Sequence, residues 1–135
     1  MPYCWGGFSS ISQYNTGMTN GGRVGNINTS TSGYVSNTYG LDCSGYVSRC
    51  WGLSTKYGTS TIMNVATAIS AANLLEGDAL NKSESHIVLF EDYDAYGNYV
   101  LYESTTLNSY DRVSHTIRSV SSLATYTPIR HNNVA

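Results

Sequence analysis

The stretch Leu41-Asp42-Cys43-Ser44-Gly45-Tyr46-Val47 holds the side chain best suited to act as a nucleophile. Asp42 fits the N-cap of a helix, which makes Cys43 the first helical residue. Unpaired amides and the helix dipole at that position favour a thiolate. Gly45 keeps the first turn uncrowded, leaving room for a substrate. The competing fate of a free cysteine is that of a small buried hydrophobe. A thiolate nucleophile needs a base, and histidine is the usual one. His86 opens the apolar run His86-Ile87-Val88-Leu89-Phe90, His115 lies in a polar–apolar alternation, and His131 is near the end of the chain. A histidine at a strand mouth has firm backbone behind it and solvent before it, so His86 ranks first. A third polar group should orient the imidazole. Glu103 follows Tyr99-Val100-Leu101-Tyr102, the return strand of a hairpin that starts at His86. Adjacent strands lie roughly 4.8 Å apart, a gap that a glutamate can close. The alternative for Glu103 is a solvated strand-end carboxylate.

The elements that must position these residues follow from the pattern. Ser9 and Ser10 can cap a short helix through Met18, ended by Asn20-Gly21-Gly22. Residues 21–40 carry Gly, Asn, Ser and Thr without periodicity and read as a loop. From Asp42, Tyr46, Val47, Cys50 and Trp51 recur at helical spacing, and Gly52 can stop the helix. A second helix is expected over Ile62–Ala72, where Ile62, Val65, Ala66 and Ile69 share a face. Leu74–Leu80 reads as a turn leading into a strand. Strands follow at His86–Phe90, Tyr99–Tyr102, Arg112–Arg118 and Thr125–Arg130, with a hairpin turn at Asp94–Asn98. Helices followed by a meander of strands predict an α+β class: N-terminal helices packed on a C-terminal antiparallel sheet.

Composition narrows the function. A chain of 135 residues is the length of one domain, taken as 1–135. Only 12% of residues are charged and the net charge is -2, which leaves no cationic footprint for nucleic acid. No apolar run reaches the roughly 18 residues of a membrane span. The start, MPYCWGG, has neither the basic nor the apolar region of a secretory leader. The Ser-, Thr-, Asn-, Gly- and Tyr-rich polar surface suits the cell exterior or envelope, reached by delivery or as part of a longer protein. Three cysteines allow one disulfide at most. Cys43 and Cys50 would stand about 10.5 Å apart along a helix, beyond the roughly 4.4–6.8 Å that a disulfide spans. Cys4 with Cys50 stays open, against two buried thiols. No CxxC or HExxH occurs, so no metal and no cofactor is expected.

Four segments taken together carry a resemblance. Pro2-Tyr3-Cys4-Trp5-Gly6-Gly7, Leu41-Asp42-Cys43-Ser44-Gly45-Tyr46-Val47, Leu75-Glu76-Gly77-Asp78-Ala79-Leu80 and Ser85-His86-Ile87-Val88-Leu89-Phe90 resemble, in order, the motifs of the NlpC-type cell-wall cysteine peptidases. The resemblance implies a papain-like fold and cleavage of peptide or amide bonds in peptidoglycan stem peptides, commonly next to D-isoglutamate. It implies Cys43 as nucleophile, His86 as base and Glu103 as the third polar residue. Tyr3, Asp42 and Ser44 fall on the substrate and oxyanion side, with the Tyr3 hydroxyl and helix-start amides as donors. Many members carry His, Asn or Gln at the third position, and Glu is closer to the related CHAP-type enzymes. An N-acetylmuramoyl-L-alanine amidase is therefore the alternative activity. Phage lysins and interbacterial toxins share the chemistry, a papain-like acyltransferase would pass the thioester to another acceptor, and a non-cleaving wall-binding module is the non-enzymatic reading.

Overall fold

A computed structural model describes residues 1–4, 7–24, 38–83, 85–105 and 112–132. Trp5 and Gly6 of the first motif, and residues 25–37 of the expected loop, lie outside this set. Ser10 opens α1 (Ile11–Thr19) through a reciprocal capping box with Gln13, and Asn20 closes it. At the two ends of the expected loop, β1 (Arg23–Val24) and β2 (Thr38–Tyr39) pair in parallel. The nucleophile segment forms α2 (Cys43–Cys50), capped by Asp42, whose Oδ1 accepts from the Gly45 N–H at 2.7 Å. Gly52, at φ 72°, takes the chain out of the helix in the left-handed conformation that glycine tolerates.

The expected helix over Ile62–Ala72 does not form. That segment holds a 3₁₀ turn at Ile62–Asn64, strand β3 (Ala66–Ala68) and a second 3₁₀ turn at Ala71–Asn73. Val65, Thr67 and Ile69 are β-branched and alternate, and β3 fills a place beside the last strand with Ala66 opposite His131. Ladder hydrogen bonds there outweigh a weak helical stripe. The remaining strands are β4 (Ala79–Lys82), β5 (His86–Tyr93), β6 (Tyr99–Thr105), β7 (Arg112–Arg118) and β8 (Thr127–His131). They form one six-stranded sheet in the order β3-β8-β4-β5-β6-β7, with every neighbouring pair antiparallel.

The α+β, papain-like expectation of N-terminal helices packed on a C-terminal sheet is therefore corrected. Among the described residues the fold is β-rich, a six-stranded antiparallel sheet accompanied by two short α-helices of 9 and 8 residues. The helical signal was overestimated because Ile62–Ala72 joins the sheet edge instead.

Strand alternation divides the core between the two sheet faces. Leu80, Val88, Phe90, Tyr99 and Leu101 pack with Leu74 and Leu123 on one. Ala79, Ile87 and Ile129 pack with Val47 of α2 and Ile62 on the other. The motif around Gly77-Asp78 is a structural turn. The buried Asp78 carboxylate takes a fork from Arg130, at 2.9 and 2.7 Å, and accepts from the Leu75 N–H. Between Phe90 and Asp92 the β5–β6 register slips by one residue, a bulge at Glu91.

Candidate active site

The start of α2 is fixed by the N-terminal segment. Tyr3 bridges Leu41 in parallel, the Cys4 N–H donates to the Leu41 carbonyl, and the Leu41 N–H donates to that of Pro2. From the sheet, Ser104 Oγ also donates to the Leu41 carbonyl. A Cβ on Gly45 would run into the Gly7 carbonyl oxygen. The space that Gly45 leaves is thus filled by the Gly7 backbone, which corrects the expectation that a substrate uses it. Asp42 is committed to structure: besides capping Gly45 it accepts from Ser44 Oγ at 3.3 Å and pairs with Lys56 Nζ at 2.7 Å. Ser44 is buried beneath that carboxylate. What Asp42 and Ser44 supply is therefore the placed helix start. Helical geometry leaves the N–H groups of Cys43 and Ser44 without intrahelical acceptors.

Cys43 is half-buried at the helix start, and its thiol lies near enough to the His86 ring to bias the ring's charge state. His86 Nε2 lies 2.9 Å from Glu103 Oε1. His86 is the first residue of β5, so at the strand's rim its ring meets Glu103 from β6 and Cys43 from α2 together. Burial of the ring disfavours its charged form. The interactions with Cys43 and Glu103 outweigh burial and push its pKa up to about 9. Glu103 is fully buried. Burial alone would raise its pKa, but hydrogen bonds from His86, Arg118 and Thr116 hold it down at about 2. The pair is therefore an imidazolium and a carboxylate at neutral pH.

Tyr3 is buried, and its hydroxyl feels the charges of Cys43, Asp42 and Cys4. Burial first, and then those charges, push its pKa up, so the phenol stays a proton donor. The other two histidines are occupied elsewhere. His115 pairs with Glu91 at 2.6 Å and stacks on Tyr102, and His131 stacks on Trp51 with ring centroids 5.1 Å apart. None of the three cysteines forms a disulfide: Cys4 is buried and Cys50 exposed, with no bond between them.

Three neighbours of the site were not read from the sequence. Thr116 Oγ1 donates to Glu103 Oε2 at 2.5 Å, and Arg118 donates from Nε to Oε2 at 2.8 Å and from a terminal nitrogen to Oε1 at 2.6 Å. Tyr126 carries a phenol within the electrostatic reach of Arg118, Glu103 and Cys43. The polar alternation Ser114, Thr116, Arg118 along β7 was the available signal for the first two. Among the described residues no group of three or more His, Cys, Asp or Glu is placed to hold a metal. Nor is any helix there long and apolar enough to cross a membrane.

The chain matches no family model, and no curated protein matches it at a significant level.

Proposed function

We propose that the chain is a cysteine hydrolase of the NlpC type that cleaves an amide bond in the stem peptides of bacterial peptidoglycan. One observation carries this reading: His86 hydrogen-bonds a fully buried Glu103 while its ring lies within the electrostatic reach of Cys43 at a helix start. A structural histidine does not need a half-exposed thiol on one side and a buried carboxylate on the other. The four motifs supply the substrate class, and with it a place of action at the cell envelope or outside the cell.

The Cys43 thiolate attacks the amide carbon, and the electron pair of the carbonyl moves onto oxygen. Cys43 and Ser44 N–H groups, with the Tyr3 hydroxyl, are the donors for that oxyanion. The tetrahedral adduct collapses, the C–N bond breaks, and the proton on His86 passes to the departing amine. His86, now neutral, takes a proton from water as the water attacks the thioester. The acid product leaves and the thiolate–imidazolium pair is restored. A carboxylate in the third position favours the amidase alternative as a second reading, with the bond between muramic acid and L-alanine as its target. Mass spectrometry of purified peptidoglycan after incubation tests both. New ends within the stem peptide support the endopeptidase, and freed whole stem peptides support the amidase. An unchanged digest from folded protein contradicts hydrolysis.

A further inference from the structure

We propose that Arg118 is a positioning residue of this site, which acts on His86 through Glu103 by gripping both carboxylate oxygens in a planar fork. The inference rests on the assignment of Cys43 and His86 as nucleophile and base.

Glu103 sits on β6 with its side chain fully buried, away from bulk solvent. Its Oε1 is shared: a terminal Arg118 nitrogen approaches at 2.6 Å and His86 Nε2 at 2.9 Å. Its Oε2 takes Arg118 Nε at 2.8 Å and Thr116 Oγ1 at 2.5 Å. A guanidinium holding two oxygens fixes the plane of the carboxylate, which a single ammonium cannot do. That plane decides where Oε1 points, and so how the His86 ring is turned towards Cys43. Without the fork, a buried carboxylate either takes up a proton or rotates. Either change weakens the acceptor on Nε2 and with it the imidazolium that supports the thiolate. Direct repulsion between Arg118 and His86 would act in the opposite sense. Yet Cys43 and Glu103 outweigh what opposes them at His86, whose pKa stays raised. The groups around the pair are Cys43 from α2, Lys82 opposite His86 on β4, Glu103 on β6, Thr116 and Arg118 on β7, and the Tyr126 phenol. Lys82 is exposed, and among the described residues Arg118 joins the His86 imidazolium in direct contact with the carboxylate.

The test is the rate at which iodoacetamide modifies Cys43 in the full chain, measured against pH. It needs no substrate. Arg118→Met should lower the rate at neutral pH by about tenfold. Arg118→Lys, which keeps the buried charge but not the fork, should fall between it and wild type, and it serves if Arg118→Met does not fold. In a Glu103→Gln background the Arg118 substitution should have no further effect, the non-additivity of residues acting in series. A wild-type profile in folded Arg118→Lys and Arg118→Met overturns the proposal, and so does an equal loss in the Glu103→Gln background. Peptidoglycan left uncut by wild type, with this coupling present, removes the hydrolase reading and leaves Arg118 in its role. Cutting without the coupling does the reverse.

Discussion

His86 Nε2 and Glu103 Oε1 lie 2.9 Å apart although 17 residues separate them in the chain. The two are not register partners. Leu89 stands opposite Tyr102 and Phe90 opposite Leu101, so continuing the ladder puts Val88, not His86, across from Glu103. The contact runs diagonally along one sheet face, a reach open to long side chains. It places an ion pair beside Cys43, and its consequences can be measured.

Thiol reactivity should separate the three cysteines. Cys43 should be alkylated first by iodoacetamide at neutral pH. Cys50 is exposed, but burial of its sulfur pushes its pKa up despite a hydrogen bond to Tyr46, so it should follow. Cys4, fully buried, should react last. Peptide mapping after a short exposure reads the order, and Cys50 reacting ahead of Cys43 would contradict the assignment.

Removing the base should cost more than weakening its support. His86→Ala should lower turnover at least about 10²-fold, the low end of general-base contributions. Glu103→Gln keeps the shape but not the charge, and its loss should be smaller than that of Cys43→Ala. Steady-state rates on muropeptides compare the three. An equal loss on substituting His115 would move the site elsewhere.

The pair also sets a pH dependence. The folded pKa of His86, about 9, lies above its ordinary 6.5. Its stabilisation is therefore complete below about 6.5 and is lost as pH rises through about 9. The folded value for Glu103, about 2, lies below its ordinary 4.5. Its stabilisation is complete above about 4.5 and is lost as pH falls through about 2. Urea midpoints should thus be highest from about pH 4.5 to 6.5, and Glu103→Gln should flatten both limbs. Turnover should fall above about pH 9, where His86 gives up its proton, and Glu103→Gln should bring that fall to lower pH. A midpoint profile unchanged by Glu103→Gln would remove the ion pair from the account.

The Tyr3 hydroxyl should act on the chemical step. Tyr3→Phe should raise the barrier by about 2.7–4 kcal/mol if the phenol behaves as other oxyanion donors do, with KM little changed. Unchanged turnover would make Tyr3 a packing residue.

Gly45→Ala should be poorly tolerated, because the new Cβ meets the backbone oxygen of Gly7 rather than a side chain that can swing away. A loss of about 1–3 kcal/mol, typical of overpacking, is expected in urea unfolding. A neutral effect would mean that the Gly7 segment yields easily.

What was legible in the sequence is what depends on neighbours along the chain. Asp42 as cap, Cys43 at the helix start and the hairpin that joins His86 to Glu103 follow from local period and turn chemistry. Arg118 and Thr116 were not legible as site neighbours, because their place beside Glu103 depends on the β6–β7 register, which no local pattern fixes. The segment Ile62–Ala72 misled because its apolar spacing fits a helix, while Ala66–Ala68 is claimed by β8 from 63 residues further on, a partner that no local window contains. The two-layer picture failed with it, since the strand that replaced the helix enlarged the sheet.

The most direct measurement is amine release from purified muropeptides by wild type and by Cys43→Ala, side by side at neutral pH. The account predicts steady release by wild type and loss of that release on removing the thiol. Equal release by both proteins, or none from folded wild type whose Cys43 alkylates readily, would contradict it.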